Sequence, residues 1–147
     1  MKLPLQIVAG RIQISASISS AKYRMFGRIS FYVDTGSNET FISQSDAFRL
    51  HVPVNSLPSL RHTKIGGSTY ELKRIKEIEL RFKTEKEKLE TITLPEFSVL
   101  VGTKKTDEGI QEANSVPSLL GTDFLKINNL ALYFNPSKGI AYLERQD

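Results

Sequence analysis

The chain has 147 residues, 39% of them hydrophobic and 24% charged, enough to bury one core and too apolar for a disordered segment. It has no cysteine and only two histidines, His51 and His62, which excludes a disulfide scaffold and thiolate chemistry and argues against a His-built zinc site. The formal net charge of +4 comes from Lys and Arg interleaved with Glu and Asp, not from a basic stripe, so no nucleic-acid partner is expected.

The N-terminal run MKLPLQIVAGRIQISAS has no compact apolar region of signal-peptide type, and no apolar run approaches the length of a membrane-spanning helix. The expectation is one folded domain over residues 1–147, cytoplasmic and without a membrane partner. Apolar and polar residues alternate through Ile12, Ile14, Ala16 and Ile18, then through Ile29, Phe31 and Val33. That period-2 pattern predicts strands. SQSDAFRL places Ser43 and Asp46 at capping spacing and stops before Pro53, which predicts a short helix. RIKEIELRF predicts a strand with one slip, read as a bulge. KTEKEKLE is expected to be a solvated hairpin tip. ITLPEFSVLV predicts another strand, GTKKTDEGIQEANS a polar loop, and TDFLKINN a short helix with Thr122 as its N-cap. LALYFNPSKGIAYLE predicts a hairpin turning at Asn135–Gly139. The fold class is all-β, with one or two short helices.

FYVDTGSNETFIS stands apart. An acid, Asp34, ends an apolar strand and is followed at once by Thr35, Gly36 and Ser37, before Phe41 and Ile42 return to the core. A buried charge is costly unless it is paired or neutralised. Gly36 lets backbone N–H groups approach the carboxylate, and the two hydroxyls can bond it or the backbone.

VDTGSNETFIS resembles the active-site loop of aspartic proteases. KIGGSTY, Lys64 to Tyr70, resembles their flap hairpin, and SLLGTDFL, Ser118 to Leu125, their apolar-apolar-Gly segment before a short helix. Pepsin-like members carry two lobes with one Asp-Thr-Gly each, whereas this chain has one such motif and the length of one lobe. It is therefore similar to the retropepsin-like, single-lobe aspartic proteases, and the likeness runs from about Phe31 to Leu143. The resemblance implies a closed β-barrel lobe working as a homodimer, with Asp34 of a second copy as the partner of Asp34. Ser37 departs from the alanine usual in retroviral members. The segment before Phe31 and the stretch from Gly102 to Ser115 exceed a minimal lobe.

By the same resemblance the chain is an aspartic endopeptidase, a hydrolase of peptide or unfolded protein that needs no cofactor or metal. Two close carboxylates share one proton. The ionised one takes a proton from water and the protonated one bonds the scissile carbonyl, so a gem-diol forms without a covalent intermediate. The implied catalytic residues are Asp34, Thr35, Gly36 and Ser37, with Thr35 bonding across the dimer, Gly36 N–H facing the carboxylates and Ser37 donating to Asp34. The implied flap residues are Ile65, Gly66, Gly67, Ser68 and Tyr70, which cover an extended peptide. The termini, LPLQIV and IAYLE, are candidate interface strands. Asp123 is read as a first-turn helix carboxylate, not as a second catalytic acid. Two other readings compete: a catalytically weak retropepsin-like dimerisation or peptide-binding adaptor domain, and a basic nucleic-acid-binding barrel, for which no aromatic-basic strip is present.

Overall fold

The computed structural model describes residues 1–92 and 94–147. In chain order the elements are β1 (Lys2–Pro4), β2 (Gln6–Val8), β3 (Arg11–Ser20), β4 (Met25–Val33), β5 (Phe41–Ile42), α1 (Gln44–Arg49), β6 (Ser59–Ile65), β7 (Ser68–Ile75), β8 (Glu79–Lys83) and β9 (Leu89–Thr91). After these come β10 (Phe97–Gly102), α2 (Asp107–Ser115), β11 (Leu119–Leu120), α3 (Thr122–Ile127), β12 (Leu130–Asn135) and β13 (Ile140–Arg145).

The alternation in sequence becomes the core face of the sheet. Ile12, Ile14, Ala16 and Ile18 of β3 are buried together with Ile29, Phe31 and Val33 of β4, and Leu80 and Phe82 of β8 join them. Each large side chain buried in this way contributes about 1.5–3 kcal/mol. Phe124 of α3 packs on Phe82 with ring centroids 5.8 Å apart, which ties the short helix to the same core.

Strands pair in the order β6-β7-β10-β5-β11-β4-β3-β8-β9, with β2 beside β3. This sheet is open, so the closed barrel implied by the resemblance does not form. Closure would need β6 and β9 to exchange hydrogen bonds along matched lengths. β9 has three residues, and β6 is mostly exposed because its hairpin projects from the core. A second sheet, β1-β13-β12, pairs the two chain termini with each other, Leu3 facing Leu143. The candidate interface strands of the termini thus bond within the chain, leaving β1 and β12 as the edges of that sheet.

Four local expectations change. The N-terminal strand run breaks into β2 and β3 at Ala9 and Gly10, both at positive φ (50° and 76°), the requirement of a two-residue type I′ hairpin. The slip in RIKEIELRF is not a bulge but the break between β7 and β8, with Glu77 at φ 59°. The polar loop after β10 contains α2. Its N-cap Thr106 accepts the Gly109 N–H, Asp107 and Glu108 oppose the dipole in the first turn, and Ala113 is buried. Gly109, Asn114 and Ser115 are weak helix formers and hide that helix from a propensity reading. The N-cap of α3 is Gly121, with Thr122 as its first residue. The ITLPEFSVLV strand shortens to β10; Thr93, within that run, lies outside the described residues.

Among the described residues, no helix is long and apolar enough to cross a membrane.

Candidate active site

Asp34 is delivered by the end of β4. β11 runs parallel to β4, with Leu119 beside Tyr32 and Leu120 beside Val33, and antiparallel to β5, with Leu119 beside Phe41. β11 thus lies between the strand entering the Asp34 loop and the strand leaving it. The loop must cross the end of β11, which holds it against Gly121 and Thr122. The Asp34 N–H donates to the Leu120 carbonyl at 3.0 Å and the Thr122 N–H to the Ser37 carbonyl at 2.9 Å.

Within the loop the Gly36 N–H donates to Asp34 Oδ1 at 2.9 Å. A Cβ at Gly36 would stand 3.1 Å from that oxygen and crowd the carboxylate, while the backbone there is not left-handed. Asp34 is half-buried and Thr35 is exposed. The Ser37 hydroxyl does not donate to Asp34 in this chain. It donates to the Glu39 carbonyl at 2.8 Å and accepts the Glu39 N–H at 3.3 Å, closing a turn inside the loop. A hydroxyl has one proton to give, and here backbone takes it.

The far end of the loop is clamped by the segment after β11. Thr40, 2% exposed, gives its N–H to Asp123 Oδ2 at 3.1 Å and its hydroxyl proton to Asp123 Oδ1 at 2.7 Å. The Gly121 N–H in turn donates to Thr40 Oγ1 at 2.9 Å, and Asp123 Oδ1 also accepts the Phe124 N–H at 2.7 Å. Asp123 is therefore in the first turn of a short helix, as expected, but it also reaches back to hold the loop that carries Asp34. Gly121 is fixed by space: a Cβ there would lie 2.6–2.8 Å from three backbone atoms of Glu39. Gly121→Ala is expected to push the loop off its seat, lowering stability by about 1–3 kcal/mol. The check is the denaturant midpoint of the variant against wild type; equal midpoints would show that the loop yields without cost.

A cleft of about 350 Å³ opens beside Asp34. Ser37, Asn38 and Glu39 of the loop and Thr63 and Lys64 of β6 line it, together with Gly36, Phe41, Ile65, Leu72 and Leu119. At its rim Glu39 pairs with Arg61. The β6–β7 hairpin turns through Gly66 and Gly67 at φ 57° and 83°, the two-residue turn in which Ile65 faces Ser68.

Of the expected flap residues, Ile65 lines the cleft, while Gly66 and Gly67 form the hairpin tip. Ser68 and Tyr70 face elsewhere. Ser68 Oγ donates to Glu112 of α2, and Thr103 Oγ1 donates to the Thr69 carbonyl at 2.8 Å. Tyr70 is buried beside Phe41, Leu72, Leu100 and Ala113 and lies outside the cleft that holds Asp34. Burial, with the Glu112 carboxylate nearby, pushes its phenol above the ordinary tyrosine range. Spacing from the glycines places Tyr70 on the hairpin, but α2 determines its surroundings. The residues that the sequence does not mark are Thr40, which clamps the loop, Leu119, which lines the cleft, and Glu112. Thr40 and Phe41 lie within the loop motif, and contacts across the chain give them their parts to play.

No protein-family model matches the sequence, and no curated protein sequence matches it. Among solved structures, a retropepsin-like aspartic protease from Rickettsia conorii superposes on 97% of this chain and 89% of its own, with a TM-score of 0.61 and 15% identity. At that identity the likeness is one of fold: this chain has a mostly-β architecture of the kind found in a retropepsin-like aspartic protease.

Proposed function

We propose that this chain is an aspartic endopeptidase whose acid–base dyad forms from Asp34 of two copies. The observation that carries the reading is the Asp34 loop itself. It presents a half-buried carboxylate in the wall of a cleft, with one oxygen held by the Gly36 N–H. The architecture likened to a retropepsin-like aspartic protease supports the same conclusion.

The dyad needs a second carboxylate, and two acids of this chain near the loop are already engaged. Both Asp123 oxygens accept bonds from Thr40, and Glu39 pairs with Arg61. A second copy would supply the missing acid across a two-fold axis. The two carboxylates would then share one proton, the ionised one activating water and the protonated one bonding the carbonyl of an extended peptide lying under β6. Thr35, exposed beside Asp34, is assigned to bonding across that axis. Ile65 and the Gly66–Gly67 tip are assigned to covering the peptide.

The test is dilution. Specific activity on an unfolded protein should fall as concentration drops through the dimer's dissociation constant, while sedimentation moves from twice 16.5 kDa to 16.5 kDa. Full activity in a strict monomer would overturn the dimeric dyad. A dimer that binds unfolded peptide without cleaving it would favour the adaptor reading.

A further inference from the structure

Asp34 borders a second cleft, of about 260 Å³, on the side away from the flap hairpin. Gly10, Arg11, Ile12, Tyr32, Val33 and Asp34 line it. Its charged wall is built by the β2–β3 hairpin. Val8 faces Arg11 as the closing pair of the type I′ turn, so Arg11 leaves the turn in a fixed position.

The β3–β4 register then brings it to the site. Gln13 pairs with Tyr32, and the next same-face positions along the two strands are Arg11 and Asp34. In a pleated sheet residues two apart share a face. Arg11, Gln13, Tyr32 and Asp34 therefore lie on one face, and Ile12, Ile14, Phe31 and Val33 turn to the core on the other. The Arg11 guanidinium sits over the Tyr32 ring, 3.9 Å from its centroid. Among the described residues it forms no ion pair, not even with Asp34.

We propose that Arg11, held over the Tyr32 ring, forms a subsite for an acidic side chain of the peptide beside the bond that Asp34 cuts. This rests on the endopeptidase reading above. A guanidinium accepts a carboxylate through two parallel N–H donors, and the aromatic face orients that fork in advance, so less freedom is lost on binding. The Arg11 cleft takes Asp or Glu on the opposite side of Asp34 from the cleft beside β6. Tyr32 is a positioning residue in this arrangement.

The experiment uses two otherwise identical peptides with Glu or Gln next to the scissile bond. Wild-type protein should cleave the Glu peptide with about threefold higher kcat/KM at low salt, the ratio shrinking as ionic strength rises. Arg11→Gln should bring the ratio to about one, Arg11→Lys should keep part of it, and Tyr32→Leu should reduce it. Binding of the same peptides, labelled and followed by fluorescence anisotropy, is measured in parallel. Cleavage of both peptides at equal rates, or a preference that survives Arg11→Gln, overturns the subsite and leaves the endopeptidase standing. Loss of dimer in Arg11→Gln, with both peptides uncleaved and the preference for Glu in peptide binding unchanged, also overturns it and places Arg11 at the contact between copies. Tighter binding of the Glu peptide that depends on Arg11, with no cleavage of either, supports the subsite and removes the endopeptidase reading.

Discussion

Asp34→Asn is expected to abolish peptide cleavage, by three orders of magnitude or roughly more, while the fold survives. Asn is isosteric and its carbonyl oxygen can still accept the Gly36 N–H now bonded to Asp34 Oδ1. It cannot carry a charge or the shared proton, so the loop geometry stays and the acid–base step goes. Asp34 is half-buried at a strand end rather than in the core, which is why stability should hold. The measurement is cleavage of a denatured protein alongside a thermal melt. Retained activity in a folded Asp34→Asn protein would remove Asp34 from the chemistry.

The second large effect is expected at Asp123, and it should register mainly as stability. Asp123→Ala would leave the N–H and hydroxyl of Thr40 without their acceptors at a position 2% exposed. Each buried polar group left unpaired costs about 1–3 kcal/mol, so a loss of roughly 2–4 kcal/mol is expected. In a chain of this size that lowers Tm by about 5–15 °C. Asp123→Asn keeps one acceptor oxygen and should fall between wild type and Asp123→Ala, still cleaving peptide. A wild-type melt for Asp123→Ala would refute the clamp. A folded but inactive Asp123→Asn protein would instead give that acid a part in the reaction.

The two predictions separate residues that look alike in sequence. Both are Asp beside Thr and Gly. Asp34 follows an apolar strand, whereas Asp123 opens a helix. That difference of context is local and legible without coordinates. What Asp123 holds is not, because Thr40 is 83 residues away along the chain.

The β architecture and the Asp34 loop were open to a sequence reading because both are local. Period-2 alternation in β3 and β4 follows from one face packing on the core, and a strand, an acid and a glycine turn occupy consecutive positions. The fate of individual side chains was decided by distant contacts. Ser37 bonds Glu39 and not Asp34, since its own loop closes on its hydroxyl. Tyr70 is buried away from Asp34 beside Ala113 of α2, a helix that propensity alone conceals. The sheet stays open because β6 stands away from the core and β9 is short, a matter of packing that no strand reveals by itself. Arg11 offers the sharpest case: nothing in VAGRIQ marks it as part of a site. Only the type I′ turn and the β3–β4 register place its guanidinium on the face of Asp34 and over Tyr32, because a pleated sheet joins residues far apart in sequence onto one surface.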